Sequence, residues 1–261
     1  MLFLLSPAKT LDYETPVRAP VLRLATDPLN VDRAAELIAT LRRKSAAQVA
    51  QLMDLSPKLA QLNVDRYAAW QPEATAANSR PALLAFAGDV YTGLDAGSLS
   101  TTDLRWAQDH LVLLSGLYGA LRPLDRLQPY RLEMGTALKT RHGKNLYDYW
   151  GDRVAQGLDE RLANEKTPRI INLASIEYAK VALRPALKAQ VLDCVFEDWK
   201  DGRYKVIGFF AKRARGAMAR HAIRSRARSP KALQGFDSDG YRYDAAASEP
   251  TRLVFRRRGS I

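Results

Sequence analysis

Short runs of hydrophobic residues recur along the chain, and each is followed at once by small or polar residues. Runs of this length that stop at glycine, serine or asparagine are typical of buried strands. The pattern predicts strands at Met1–Leu5, Leu83–Ala87, His110–Leu114 and Arg169–Leu173. These runs do not alternate with polar residues, so we expect strands that are buried on both faces of a sheet.

Apolar residues at intervals of three and four predict helices between these strands. The predicted helices are Asp32–Lys44, Asp103–Asp109, Asn145–Leu162 and Ala211–Arg228. In the last of these the apolar stripe is narrow and rich in alanine, which favours close packing on a sheet with the arginines facing outward.

The C-terminal part of the chain contains the clearest hairpin signal. Lys200-Asp201-Gly202 separates Val191–Glu197 from Arg203–Phe210, and Asp-Gly between two such runs is typical of a tight turn between antiparallel strands. Arg252–Arg256 predicts a last strand at the edge of the sheet, and we expect Arg256–Arg258 to form a solvated tail.

A pair of helices joined by a tight turn is predicted within residues 45–70. Ser45 and Gln48 have the spacing of a capping box, and Ser56 before Pro57 starts a further helix. The apolar spacing across Val49–Asn63 matches a helix-hairpin-helix DNA-binding unit, in which backbone N–H groups contact a phosphate. Asp54 stands where that unit prefers glycine, and any helical pair has similar spacing, so a purely structural hairpin remains the alternative.

Strands and helices alternate without internal repeats or low-complexity linkers. This organisation predicts an α/β (α+β) fold in a single domain over residues 1–261, with a central mixed sheet flanked by helices.

The positive charge is concentrated near the C-terminus. Residues 200–261 carry 16 Lys and Arg against 5 Asp and Glu, whereas the first 199 residues carry 24 against 23. The stretch Arg203–Lys231 contains no acidic residue at all. Such a concentration predicts binding to phosphates, either of nucleic acid or of nucleotides.

Several classes of protein are excluded by what the sequence lacks. It has no apolar stretch long enough to span a membrane, and its one cysteine, Cys194, predicts a reducing cytoplasm without disulfides. The common nucleotide-binding and hydrolase signatures and any zinc-ligand spacing are absent. We therefore expect a cytoplasmic monomer with no cofactor, no metal and no membrane association.

The residues after the predicted strands include many that could bind a ligand. In open α/β sheets, ligands bind beyond the carboxyl ends of the strands. The long segment Leu111–Thr136 also favours a functional site, because a mere connection is usually shorter. The alternative is a structural loop whose arginines and acids pair with one another. If the strands are neighbours, the candidate cleft residues are Lys9, Asp89, Tyr91, Ser115, Tyr118, Arg122, Arg131, Glu133, Asn172, Ser175 and Glu177.

Six motifs in order make the chain resemble a known family. They are SPAKTLDY at 6–13, GDVYTGL at 88–94, the segment 111–136, NLYDYWGD at 145–152, NLAS at 172–175 and FFAKRARGAM at 209–218. Together they resemble the YaaA family of bacterial peroxide-stress proteins over nearly the whole chain. The resemblance implies a helix-hairpin-helix unit and a role in oxidative stress. If the family's link to lowered intracellular iron holds here, we expect it to act indirectly or by shielding DNA.

Two functions of different class follow from these observations. The first is non-specific binding of double-stranded DNA in the peroxide-stress response. Its candidate residues are Ser56, Lys58, Lys212, Arg213, Arg215, Arg220 and Arg224. The second is an enzyme that acts on a nucleotide-like ligand or a nucleic-acid base in the strand-end cleft, where carboxylates, tyrosines and arginines suit acid–base work. A basic surface without a specific partner is the remaining alternative.

Overall fold

The computed structural model describes residues 1–259. Its strands are β1 (Leu2–Leu5), β2 (Thr10–Leu11), β3 (Arg80–Pro81), β4 (Phe86–Ala87), β5 (Leu111–Ser115), β6 (Gly119–Leu121), β7 (Arg126–Leu127), β8 (Arg169–Asn172), β9 (Gln190–Lys200), β10 (Arg203–Lys205), β11 (Arg242–Tyr243) and β12 (Arg252–Arg257). Its α-helices are α1 (Ala19–Leu22), α2 (Val31–Leu41), α3 (Ala46–Met53), α4 (Pro57–Ala69), α5 (Ala82–Ala85), α6 (Asp89–Leu94), α7 (Thr101–His110), α8 (Leu146–Trp150), α9 (Arg153–Arg161), α10 (Ile176–Ala182), α11 (Gly208–Ser225) and α12 (Pro230–Leu233).

The main sheet is mixed, and its strands follow the order β11-β12-β9-β8-β1-β5-β6, with β10 paired to β9. The strands β12, β9, β8, β1 and β5 are parallel, whereas β6, β10 and β11 are antiparallel to their neighbours. Every residue of β1 and β5 is buried, which explains why both read as continuous apolar runs. The structure confirms the predicted mixed sheet with flanking helices.

The predicted strand Leu83–Ala87 is wrong. Ala82–Ala85 forms a helical turn, and only Phe86 and Ala87 pair, with Leu11 and Thr10 in a separate two-stranded sheet. The backbone N–H groups of Ala82 and Leu83 donate to carbonyls of the loop at Asp125 and Pro123. A short buried helix and a short buried strand have the same hydrophobic pattern, so periodicity could not separate them.

Two other predicted elements end earlier than expected. The helix predicted over Asn145–Leu162 is broken between α8 and α9 at Gly151, whose φ of +50° takes the chain out of the helix. The strand predicted over Arg203–Phe210 ends at Lys205, because α11 already begins at Gly208. The hairpin turn itself is confirmed, with Asp201 and Gly202 both at positive φ.

The strand predicted at the C-terminus is present as β12, and Arg258 is exposed as expected, but the edge position of the strand and the solvation of Arg256 and Arg257 are wrong. β12 lies inside the sheet between β11 and β9. Arg256 bonds to Glu197 at 2.8 Å, and Arg257 bonds to the buried Asp198 at 2.5 Å. These arginines extend the strand because acidic partners on β9 neutralise them.

The helical pair expected within residues 45–70 is present as α3 and α4. The capping box of Ser45 and Gln48 is formed, and Asp54 adopts a left-handed conformation that ends α3. This geometry fits a helical hairpin, whereas its use as a DNA-binding unit stays a prediction, as does the single-domain organisation.

No α-helix within residues 1–259 has the length and hydrophobicity that crossing a bilayer requires.

Candidate functional site

A cleft of about 510 Å³ lies beyond the carboxyl ends of β1 and β8. The turn after β1 supplies one side, the turn after β8 a second, and the loop before Thr136 a third. Helices α6 and α11 close the remaining side. The candidate residues that line it are Lys9, Asp89, Tyr91, Arg131, Glu133, Ser175 and Glu177.

The position of the cleft follows from the central strands. β1 pairs in parallel with β8 on one side and with β5 on the other, so the turns that follow them meet at one edge of the sheet. Ser6 and Ser175, which stand in two of these turns, are joined directly. The backbone N–H of Ser175 donates to Ser6 Oγ at 2.8 Å, and Ser6 Oγ donates to Ser175 Oγ at 3.2 Å. The hydroxyl proton of Ser175 has no acceptor within residues 1–259 and can donate to a ligand.

Helices α6 and α11 bring side chains to the cleft because glycines let them approach closely. A Cβ on Gly216 would overlap the carbonyl oxygen of Val90, and one on Gly93 would overlap that of Arg213. Each helix therefore places a glycine against the backbone of the other. This contact fixes Asp89 and Tyr91 of α6 opposite the basic residues of α11.

Arg131, Glu133 and Lys9 form a chain of charges on the loop side of the cleft. Arg131 bonds to Glu133 Oε1 at 2.9 Å, and Lys9 bonds to Glu133 Oε2 at 2.7 Å. Glu133 is thus shared between two cations. Glu177 is held separately, since its Oε1 accepts from the backbone N–H of Gly135 at 2.8 Å.

Three tyrosines form the apolar part of the cleft. Burial raises the pKa of Tyr91, Tyr130 and Tyr178 well above that of a free phenol, so all three are neutral at physiological pH. The hydroxyl of Tyr91 donates to the carbonyl oxygen of Ser6 at 3.0 Å. Tyr178 accepts from the backbone N–H of Met134 at 3.4 Å. These rings therefore hold the surrounding turns in place.

Two of the candidate DNA-binding residues on α11 lie at the cleft. Lys212 and Arg215 of α11 both line it. They are three residues apart and so project from the same side of the helix. Fewer basic residues of α11 therefore face away from the cleft than the sequence predicts.

The remaining α11 candidates face away from the cleft and have acidic partners. Arg213 bonds to Asp239 at 3.1 Å, Arg220 to Asp95 at 3.3 Å, and Arg224 lies 3.8 Å from Asp103. The acid-free run in the sequence is therefore not free of acids in space. The carboxylates come from other parts of the chain, which local charge counting cannot detect.

The two hairpin candidates have different environments. Ser56 Oγ accepts from the backbone N–H of Leu59 at 3.4 Å and serves as the N-cap of α4. Lys58 is exposed, and no carboxylate within residues 1–259 approaches it. The hairpin adjoins the cleft, because the hydroxyl of Tyr67 on α4 donates to the carbonyl oxygen of Arg131.

Four cleft candidates lie elsewhere. Ser115 is buried against the hydroxyl of Tyr130 at 2.6 Å, and Tyr118 accepts from Trp70 Nε1 at 2.9 Å. Asn172 donates to Asp193 at 2.7 Å and holds the turn after β8. Arg122 pairs with Asp125 at 2.8 Å beside a different cavity of about 490 Å³. These four side chains bond to other residues of the protein and do not line the cleft.

Both alternatives for the segment Leu111–Thr136 apply. Its arginines and acids pair with one another, Arg122 with Asp125 and Arg131 with Glu133. Its second half, from Tyr130 to Glu133, lines the cleft.

Sequence reasoning missed some of the residues that line the cleft. Ser6, Tyr130 and Tyr178 were not candidates, although each stands next to a strand end or a selected neighbour. No group of His, Cys, Asp and Glu within the described residues is arranged to hold a metal ion.

Comparison with known proteins shows the family of the chain. A family model described as peroxide stress protein YaaA matches residues 1–247. A UPF0246 protein of Leptothrix cholodnii is 63% identical over 257 residues, covering 98% of both chains. A UPF0246 protein of Bordetella pertussis is 62% identical over 258 residues, with 99% of both chains covered. One of Paracidovorax citrulli is 60% identical over 258 residues, again with 99% of each chain covered. The chain therefore belongs to the YaaA family of peroxide stress proteins.

Proposed function

We propose that this protein serves the oxidative-stress response by binding double-stranded DNA without sequence preference. The observation that carries the proposal is the set of cations in residues 200–259 that have no carboxylate within 4.0 Å among the described residues. These are Lys200, Arg203, Lys212, Arg215, Arg228, Lys231 and Arg258. Cations without an internal partner retain their full attraction for phosphates.

Four of these cations, together with the helical hairpin, support a binding surface on the side of the sheet that carries the cleft, because β9 runs parallel to β8. Lys200 and Arg203 flank the β9–β10 turn, while Lys212 and Arg215 lie at the cleft. Lys58 follows the cap of α4, the helix that bonds through Tyr67 to the loop of the cleft. Phosphate contacts from such residues fix position without reading bases, which favours non-specific binding.

The proposed binding also gives a physical account of the stress response. Bound protein excludes solvent and small oxidants from the stretch of DNA that it covers, so this way of reducing damage initiated by intracellular iron does not require the protein to bind a metal. We place this activity in the cytoplasm, because the one cysteine is free and buried and no disulfide framework is needed.

A charge-matched pair of variants tests this proposal. The triple variant Lys200→Ala, Lys212→Ala, Lys231→Ala removes three exposed cations that lack acidic partners. Its control, Lys205→Ala, Arg213→Ala, Arg242→Ala, removes three cations that already bond to Asp201, Asp239 and Asp237. We expect the first variant to lower the slope of log K against log salt by about 0.9 per lost phosphate contact, and the control to lower it much less.

Fluorescence anisotropy with several duplexes at rising salt provides the measurement. All sequences should weaken alike in the first variant, because phosphate contacts carry no base information. The proposal fails if the wild-type protein shows no binding at low salt, if its affinity does not depend on salt, or if both variants lose affinity equally.

A second candidate function, an enzyme acting on a nucleotide or a nucleic-acid base, is favoured by one feature of the cleft. The half-buried carboxylate of Asp89 has no hydrogen bond or ion pair within residues 1–259, whereas most other acids near the cleft are engaged. Glu177 lines the same cleft. Two carboxylates in different environments suit general acid–base cleavage of a glycosidic bond.

Release of free base from nucleosides, nucleotides and DNA, followed by chromatography, tests this second function. Asp89→Asn and Glu177→Gln should each reduce the rate by about 10²-fold or more, since positioned acids and bases contribute 10²–10⁴-fold. The exposed Glu73→Gln serves as the control and should keep the full rate. If no base is released from any of these substrates, the hydrolytic function is refuted.

A further inference from the structure

Arg215 differs from the other arginines of α11 in having no acidic partner. Arg213, Arg220 and Arg224 each lie within 4.0 Å of a carboxylate. No carboxylate of the described residues comes that close to Arg215, which lines the cleft. The fold thus supplies acids to the arginines that point away from the cleft and leaves the one at the cleft without a partner.

The guanidinium of Arg215 also contains a hydrogen-bond donor that is not satisfied. Its Nε is buried and has no hydrogen-bond partner among the described residues. Arg33 and Arg80 have a similar buried Nε, but each has a carboxylate nearby, Glu36 at 3.3 Å and Asp12 at 3.5 Å. Arg215 therefore combines an unbonded buried donor with an unneutralised charge.

A charged group in this environment raises the free energy of the folded protein unless an anion pairs with it. Burial lowers the pKa of Arg215, partly offset by the field of Asp193, yet a guanidinium remains charged at physiological pH. Partly desolvated charges in proteins are normally paired, because an unpaired one loses hydration without compensation. The fork of N–H groups on arginine matches the oxygens of a phosphate.

Other donors stand at the same cleft. Lys212 lines it one helical turn from Arg215 and has no ion-pair partner within residues 1–259. Two adjacent like charges repel each other, and an anion between them removes that repulsion. The hydroxyl of Ser175, whose proton is not used by Ser6, adds a neutral donor.

We infer that Arg215, Lys212 and Ser175 form a phosphate subsite for a nucleoside monophosphate. The cleft volume of about 510 Å³ lies within the range of small-molecule sites. Asp89 and Glu177 also line the cleft, where they accept hydrogen bonds from sugar hydroxyls or base amino groups. This inference deepens the second candidate function and does not depend on the binding of duplex DNA.

Isothermal titration calorimetry with the four 2′-deoxynucleoside 5′-monophosphates tests the subsite, with the four nucleosides as matched controls. At least one monophosphate should bind, and its nucleoside should bind about 10-fold more weakly or worse, because hydrogen bonds to charged groups are lost. Arg215→Gln should weaken the monophosphate by a similar factor. Arg213→Gln, which removes an arginine facing away from the cleft, should bind as the wild type does.

Unfolding in urea separates a ligand site from a structural role. Arg215→Gln should unfold at the same or a higher urea concentration, since functional sites hold unfavourable electrostatics. If that variant does not fold, the exposed Lys212→Gln provides the test and should weaken monophosphate binding several-fold without changing stability. The subsite is refuted if no monophosphate binds at millimolar concentration, if nucleosides bind as tightly, or if neither variant weakens binding.

The outcomes also distinguish this subsite from the hydrolytic function. Monophosphate binding that needs Arg215, without any release of base, supports the subsite and removes the reaction. Base release from a nucleoside monophosphate at an equal rate in wild type and Arg215→Gln, measured below saturation, supports the reaction and refutes the subsite.

Discussion

Replacing Gly216 with alanine is expected to destabilise the fold by about 3 kcal/mol, the upper end of what overpacking usually costs. The new methyl group would overlap the carbonyl oxygen of Val90, a backbone atom of α6 that cannot rotate away. The two helices must therefore separate. Since α6 carries Asp89 and α11 carries Arg215, we also expect any ligand of the cleft to bind more weakly. Urea unfolding and calorimetry measure the two effects.

Gly157→Ala is the matched control for this substitution. Gly157 lies inside α9, and a Cβ there meets no atom within 4 Å. Alanine at such a position usually stabilises a helix by about 0.5–1 kcal/mol relative to glycine. A Gly216→Ala protein as stable as the wild type would show that α6 and α11 do not approach as closely as described.

Replacing Asp125 with alanine is expected to cost about 3 kcal/mol, the lower end of the effect of removing one partner of a buried ion pair, because the Arg122 side chain is 27% exposed. Asp125 is fully buried and bonds to Arg122 at 2.8 Å. It also accepts from Thr26 Oγ1 at 2.7 Å and from the backbone N–H of Arg122 at 2.8 Å. All of these donors lose their acceptor together. The free energy of unfolding in urea checks this expectation.

Asp27→Ala provides the comparison for Asp125→Ala. Asp27 also bonds to an arginine, Arg126 at 2.8 Å, but its side chain is 71% exposed. Exposed pairs contribute about 0–1 kcal/mol, so this change should be nearly silent. If both substitutions cost the same small amount, the first half of the loop is not held by Asp125.

The sequence predicts those parts of the fold that depend on neighbouring residues along the chain, such as a run of apolar residues or a turn dipeptide. β1 and β5 were recognisable because central parallel strands are apolar throughout, and the β9–β10 turn because Asp201-Gly202 favours positive φ. The segment at residues 83–87 was mistaken for a strand because its backbone hydrogen bonds go to a distant loop. Hydrogen bonds between remote segments leave no periodic trace in the sequence.

The sequence predicts the location of the candidate site better than it predicts the residues that line it. Lys9, Ser175 and Glu177 were found because the turns after parallel strands meet at one edge. Arg215 is predicted from the sequence as a DNA-binding residue on the flank of α11, because a helical wheel does not show which neighbouring segment covers that flank. The roles of Gly93 and Gly216 were missed because a close helix crossing becomes visible only when both helices are in place.

The internal position of β12 has a consequence for how the protein is made. Arg252–Arg257 pairs with β9 on one side and β11 on the other, so the sheet lacks an inner strand until these residues have left the ribosome. Until then β9 presents an unpaired edge through residues 193–198. A nascent chain shorter than this is open to pairing with other strands, and its acids Glu197 and Asp198 still lack the arginines that neutralise them. Pairing of β12 with β9 therefore fills the sheet and neutralises these acids in the same event.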